Sequence, residues 1–263
     1  MYAFEYHRPQ SLSDAVAGAA NPDAKALAGG MTLLPTMKQR LASPAALIDL
    51  KNVPELAGIA REGDNLLIGA MTRHADVARS DVVQAAIPAL AQLAGGIGDP
   101  HVRNMGTIGG SLANNDPSAD YPAAALALGA TIVTNKRRIP AQDYFTGLFE
   151  TALETGELIT QVSFPIPQKA AYMKFANPAS RYALVGVFVA KTAGGVRVAV
   201  TGAGPCVFRA EAMEKALAKS FSADAIKDIK VAADELNSDI HASREYRAHL
   251  IGVMARRAVA AAG

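Results

Sequence analysis

The chain has 263 residues, half of them apolar, with 26 basic against 24 acidic side chains and a formal net charge of +2. So near-neutral a balance argues against a protein that holds nucleic acid or another polyanion by electrostatics. No window approaches about 18 consecutive apolar residues, and the opening MYAFEYHRPQ lacks the apolar run of a signal peptide, so a cytoplasmic chain with no transmembrane segment is expected.

In chain order, Ser11 to Asp14 has the pattern of a capping box that opens a short helix through Ala20, ended by Asn21-Pro22. Lys25 to Ala28 reads as a strand. It runs directly into Ala28-Gly29-Gly30-Met31-Thr32 and then LLPTMKQRL, which has helical spacing and Pro35 near its start. Strand, Gly-Gly turn and helix in that order put freed backbone N–H groups and a helix N-terminus at one point, a ready anion site. Leu47 to Leu50 is a further strand, and Asn52-Val53-Pro54 marks a break. A hairpin is expected from Gly58 to Arg61 and Leu66 to Ala70. Thr72 is placed to cap a helix to about Arg79, and a second helix fits Val82 to Ala94.

Asp99 to Ala130 is the most informative stretch. Glycines at 106, 109 and 110 let backbone N–H groups approach an anion. Thr107, Ser111 and Asn114 add short donors, and Asp116 and Asp120 can accept from ribose hydroxyls. The combination suits a phosphate-bearing cofactor. The same residues also fit a polar loop capping the alanine-rich helix that follows, with Asp116 as N-cap and Pro117 in its first turn.

Strands are expected at Thr131 to Thr134, in a return strand after the basic turn Lys136-Arg137-Arg138, and at Glu157 to Phe164, closed by Pro165 and Pro167. Beyond these, Ala171 to Ala176, Ala183 to Lys191 and Val196 to Thr201 read as strands, with a hairpin turn at Ala193-Gly194-Gly195. Helices are expected near Ala210 to Lys219, Ala223 to Leu236 and Arg244 to Ala262. In the last, Leu250, Val253, Met254 and Val259 share a packing face, with Arg247 and Arg256 outside it. The expected class is α+β, divided at 1–53, 54–168 and 169–263.

Cys206 is the sole cysteine. The chain alone can therefore close neither a disulfide nor an iron–sulfur cluster, so any such redox centre belongs to a partner. Cys206 itself reads as an inert buried thiol. The five histidines (His7, His74, His101, His241 and His249) have no ligand spacing, and no metal site is expected. Arg103 suits a framework role and a cofactor or partner contact equally, and Asn104 reads as a brace for its own loop. A dinucleotide fingerprint is excluded twice: after Gly202-Ala203-Gly204 the third glycine is replaced by Val207, and after Gly96-Ile97-Gly98 by His101. No acid, base or nucleophile set stands out, so no catalytic residue is assigned.

AGGMTLLPTMKQRL and VRNMGTIGGSLANNDPSADYPAAALALGA, together with YHRP, ETALETGELITQVSFP and KFANPASRYALVGVFVA, resemble the FAD-binding medium subunit of molybdenum hydroxylases, the xanthine dehydrogenase and aerobic carbon monoxide dehydrogenase family. The resemblance covers nearly the whole chain. It implies two N-terminal α/β subdomains of the vanillyl-alcohol-oxidase (PCMH) type clasping FAD, and a C-terminal sheet-and-helix domain. It also implies pyrophosphate contacts from Ala28, Gly29, Gly30, Met31 and Thr32 and from Thr107, Ile108, Gly109, Gly110 and Ser111. Further cofactor contacts fall on Asn114 and Asp120, Leu158 or Ile159 lies near the adenine or the isoalloxazine, Lys174 reaches the flavin region, and Tyr182 stands beside the ring.

Met31 departs from the pattern, since relatives usually carry a polar residue there. Binding at that point would rest on backbone N–H groups, and FAD would be noncovalent. The implied activity is an oxidoreductase subunit that passes electrons from a molybdopterin large subunit and a 2Fe–2S small subunit through FAD to NAD, quinone or oxygen. The implied assembly is a dimer of heterotrimers, and Lys174 is a candidate to stabilise anionic reduced flavin. Two other readings are a self-sufficient flavin oxidase of the vanillyl-alcohol-oxidase type and a structural subunit whose flavin site has decayed.

Overall fold

A computed structural model describes residues 1–263. Its first sheet is built from β1 (Glu5–His7), β2 (Ala24–Leu27) and β3 (Ala46–Asp49), ordered β1-β3-β2 with both pairs parallel. Parallel neighbours need crossovers. Helix α1 (Leu12–Ala19) supplies the first, capped by Ser11, whose Oγ accepts from the Asp14 N–H at 3.2 Å. Helix α2 (Leu33–Lys38) lies in the second, between β2 and β3. Ala15, Ala46, Ile48, Val53 and Leu56 form the core here, and Leu158 joins them from much later in the chain.

The second sheet is antiparallel. It contains β4 (Ile59–Glu62) and β5 (Asn65–Gly69), followed by helices α3 (His74–Arg79), α4 (Asp81–Ala86), α5 (Pro88–Gly95), α6 (Pro100–Met105), α7 (Ile108–Asn114) and α8 (Tyr121–Leu128). Next come β6 (Thr131–Thr134), β7 (Arg138–Pro140), the short helix α9 (Ala141–Tyr144), a small hairpin of β8 (Phe145–Gly147) and β9 (Glu150–Thr151), and β10 (Ile159–Pro165). The strand order is β4-β5-β10-β6-β7.

Three expectations are corrected in this region. Thr72 does not cap α3, because its hydroxyl is tied to Gly58, donating to the carbonyl at 3.1 Å; Arg73 holds the N-cap position. The helix expected over 82–94 is two helices, since Pro88 drives Ile87 to φ −142°, ψ 75° and ends α4. The glycine stretch before Asp116 is not a loop. Thr107 caps α7 through a bond from the Gly110 N–H at 3.1 Å, so Gly109 and Gly110 lie in a helical first turn. Asp116 closes a turn with the Ser118 N–H at 2.9 Å rather than capping a helix, and α8 starts only after Asp120.

The third sheet comprises β11 (Lys169–Ala176), β12 (Ala183–Thr192), β13 (Gly195–Thr201) and β14 (Phe208–Arg209), antiparallel and in chain order. Helices α10 (Glu211–Lys219) and α11 (Arg244–Ala262) cover one face over a core that includes Val187, Val198, Met213, Leu250 and Met254. The other face meets α8. All eight residues of α8 are buried, because this helix lies between the second unit and Tyr172, Phe188 and Ala199 of the third sheet. A helix apolar all round needs such cover on every side.

The helix expected over 223–236 is only a 3-10 turn at Ala223–Ile226. Of that stretch only Ile226 and Leu236 are buried, too few anchors to stabilise a helix by packing. Arg247, expected outside the packing face, is buried and donates to the carbonyls of Leu184 at 2.8 Å and Gly202 at 3.0 Å and to Asp239 Oδ2 at 2.7 Å. No helix is long and apolar enough to cross a membrane.

Candidate functional site

A cleft of about 570 Å³ opens where the three sheets meet. Its first wall follows β2. Gly30 takes φ +72°, a left-handed conformation that turns the chain from strand to helix. A Cβ on Gly29 would lie 2.1 Å from the Met105 carbonyl oxygen, so this loop and the end of α6 touch backbone to backbone. None of the N–H groups of Gly29, Gly30, Met31 and Thr32 donates a hydrogen bond within the chain. All four residues line the cleft, as does Ala28. Gly29 and Gly30 are half-buried, where amides normally have partners, so the run they open, continued by the exposed Met31 and Thr32, fits an anion supplied from outside. Met31 is exposed and adds no donor.

The second wall is the start of α7, and its amides are already committed. Ile108 N–H donates to Thr72 O at 3.1 Å, Gly109 N–H to Ala70 O at 2.8 Å, and Ser111 N–H to Thr107 O at 3.0 Å. Gly109 is there for close packing, since a Cβ would lie 2.5 Å from Ala70 Cβ. What this wall turns to the cleft are side chains, the Ser111 hydroxyl and the Asn114 amide, with Thr107, Gly109 and Gly110 beside them. Ile108 is fully buried in the core and does not line the cleft.

The third wall is acidic and is held by the third sheet. Gly202 N–H donates to Pro117 O at 2.7 Å, and the Thr201 hydroxyl reaches Ala119 O at 2.6 Å. Asp116 and Asp120 face the cleft. Asp120 is buried, accepts from the Tyr172 hydroxyl at 2.5 Å and pairs with Lys174 Nζ at 3.0 Å. Burial pushes its carboxyl up from the ordinary range against the opposing pull of Lys174 and Tyr172. Lys174 also donates to Gly96 O at 2.9 Å and stands behind Asp120, outside the cleft lining. Leu158 and Ile159 supply apolar floor, and Tyr182 stands half-exposed at the edge, following Arg181 at φ +62°.

Several lining residues escaped the sequence reading. His74 is buried under the second wall, its Nδ1 without a partner and its ring 5.3 Å from that of Tyr121. Burial, helped by the charge of Arg103, lowers its pKa to about 4, so it is neutral at pH 7. Phe149 sits exposed at the tip of the β8–β9 hairpin with φ +55°, and Asn115 Nδ2 braces that hairpin by donating to Gly147 O at 2.9 Å and Glu150 O at 2.7 Å. Burial would raise the Glu157 carboxyl, but bonds from Arg137, the Glu154 N–H and Thr134 outweigh it and hold the pKa at about 2. No local signal marks these positions, because a lone histidine and a hairpin-tip aromatic gain meaning only from what folds against them. Arg103 is a framework residue, donating to Ile97 O at 2.9 Å and Gly98 O at 3.2 Å, and Asn104 braces its own helix by donating to Pro100 O at 2.7 Å. Cys206 is partly exposed rather than fully buried, packing at the margin of the core with its Sγ 3.5 Å from Asn115 Nδ2.

The donor set matches a dinucleotide carrying a diphosphate: free amides for the charge, carboxylates for ribose hydroxyls, and an apolar floor for a ring. The cleft volume is in the range of ordinary cofactor sites. A family model described as the FAD binding domain in molybdopterin dehydrogenase matches residues 2–167, and the CO dehydrogenase flavoprotein C-terminal domain matches residues 170–262. The chain is 38% identical to the carbon monoxide dehydrogenase medium chain of Hydrogenophaga pseudoflava, covering 98% of this chain and 96% of that one. It is 30% identical to the xanthine dehydrogenase FAD-binding subunit of Escherichia coli O157:H7, with 98% and 97% covered. The solved carbon monoxide dehydrogenase of H. pseudoflava superposes with a TM-score of 0.89 at 39% identity, covering 99% of this chain and 97% of the other. Quinoline 2-oxidoreductase from Pseudomonas putida 86 gives 0.89 at 32% identity, covering 99% and 97%.

Proposed function

The chain belongs to the family of FAD-binding medium subunits of molybdopterin dehydrogenases, and from that premise we propose that it is the outward electron-transfer subunit of a three-part hydroxylase or dehydrogenase. The observation that carries the reading is the run of unpartnered N–H groups from Gly29 to Thr32, facing an acidic wall across the cleft. FAD, when bound, supplies a carrier that takes electrons singly and releases them in pairs.

The chain's own residues bind and orient it. The amides of Gly29, Gly30, Met31 and Thr32 neutralise the diphosphate, with Ser111 and Asn114 donating from the opposite side. Asp120 accepts from a ribose hydroxyl, its carboxyl held in place by Lys174 and Tyr172. Leu158 and Ile159 exclude water beneath a ring, and Tyr182 shields its edge. Lys174 acts through Asp120 rather than by touching the cofactor. Residues 1–53 and 54–168 form the two halves of the clasp, and 169–263 buttresses the acidic wall.

The partners in this reading are a molybdopterin large subunit and a 2Fe–2S small subunit, assembled as a dimer of heterotrimers, with NAD, quinone or oxygen receiving the electrons. The test has two stages. Purified chain is first mixed with FAD and its absorbance recorded, with release of intact FAD on heating expected. Turnover is then assayed with and without the two partners. Oxidation of a small alcohol or hydroxy acid by the chain alone would overturn the subunit reading in favour of a self-sufficient oxidase.

A further inference from the structure

The end of α8 remote from the cleft closes a second cavity of about 220 Å³, walled by Leu126, Gly129, Ala141, Gln142, Arg197 and Arg209. It shares no lining residue with the nucleotide cleft. Two guanidinium groups enter it from neighbouring strands, and their situations differ. Arg209 is paired, gripping Glu214 through Nε at 2.9 Å and Nη2 at 2.5 Å, and Glu214 also accepts from the Val198 N–H at 2.9 Å. That carboxylate is occupied. Arg197, half-buried on β13, has no hydrogen bond among the influences on it. Burial and the like charge of Arg209 push it down from the usual arginine range, and only Glu214 pulls the other way.

Charge accounting shows what is missing. Glu214 and, more weakly, Glu211 act on Arg209, whereas Arg197 has only the already engaged Glu214 in its favour and no ion-pair partner of its own. The C-terminus of α8 offers partial compensation, because Gly129 ends that helix at φ +68° and lies so close that a Cβ would fall 1.7 Å from Arg197 Nη1. A helix terminus carries about half an elementary charge, so it cannot neutralise the group alone. A guanidinium fork is matched to planar or tetrahedral oxyanions, and Gln142 at the rim adds an amide.

We propose that this cavity is a second ligand site, taking a small free oxyanion of phosphate or carboxylate size on Arg197, with Arg209 and Gln142 as flanking donors. Its volume is less than half that of the cleft, which excludes a dinucleotide.

The test uses the chain in excess FAD, so that the cleft is filled, and titrates inorganic phosphate at constant ionic strength set with chloride. The readout is the Nε–Hε NMR signal of Arg197, assigned by its loss in Arg197→Gln, with calorimetry alongside. The expected result is a saturating shift of that signal and a calorimetric affinity about tenfold weaker in Arg197→Gln, as loss of a charge-assisted pair implies. Arg197→Lys, which keeps the charge and loses the fork, should retain weakened binding and secures the result if the glutamine variant folds poorly. A linear, unsaturated shift overturns the proposal, as does phosphate affinity undiminished in both variants.

Discussion

The two glycine-bearing walls of the cleft look alike in sequence and differ in how their backbone is used. At Gly29-Gly30 the chain leaves a strand, turns through a left-handed glycine and starts a helix, and four successive amides are left without acceptors. At Gly109-Gly110 the amides are spent on Ala70, Thr72 and Thr107, and the glycine at 109 allows the chain to pack on itself. Glycine marks close approach in both. Whether the thing approached is a ligand or another part of the chain is decided by the tertiary partner, which the local sequence does not carry.

The comparison can be broken most severely at Gly29. A Gly29→Ala Cβ meets the Met105 backbone, so a loss of about 3 kcal/mol in stability, together with loss of FAD uptake, is expected. Wild-type melting with full flavin content would show that the two backbones do not touch as described. Acid should strain the second wall selectively. The folded pKa of His74, about 4, lies below its ordinary 6.5, so its contribution is fully present above about pH 6.5 and is lost as pH falls from 6.5 toward 4. The whole effect is about 3 kcal/mol. Denaturant titrations across that window should show the decline in wild type and a flatter profile in His74→Asn.

Smaller effects separate side chains from backbone. Ser111→Ala and Asn114→Ala are each expected to weaken FAD binding by about fivefold to tenfold, the worth of one hydrogen bond. Met31→Leu should change it by less than about twofold, because the first wall binds through amides that this substitution leaves in place. Equal losses at Met31 and Ser111, measured by fluorescence titration, would erase the distinction between the walls.

Much of the architecture is legible in the sequence where the pattern is local. The strands of the third sheet announce themselves as long apolar runs around a Gly-Gly turn, and the strand-glycine-helix unit after Ala24 follows from residue order alone. Glycine content hid α7, because its N-cap bond from Gly110 to Thr107 compensates for weak propensity. Charge hid the burial of Arg247, whose carbonyl partners lie far away in sequence. In the two glycine stretches the sequence points to residues that line the cleft, except Ile108, which is buried in the core. Resemblance assigns Lys174 to the flavin region, whereas it stands outside the cleft lining and pairs with Asp120, and His74 and Phe149 could not be found at all, since distant segments must fold together before either lines anything.

The buried helix α8 also sets an order of events during synthesis. Its apolar surface has no complete cover until β12 and β13 have been made, and the acidic wall before it has no anchor until Thr201 and Gly202 arrive. The Gly202 carbonyl in turn waits for Arg247. The first glycine loop emerges from the ribosome early, yet the pocket it serves is assembled late. A nascent chain halted before β12 should therefore leave an exposed apolar helix for chaperones to hold, and cofactor loading follows the making of the third sheet.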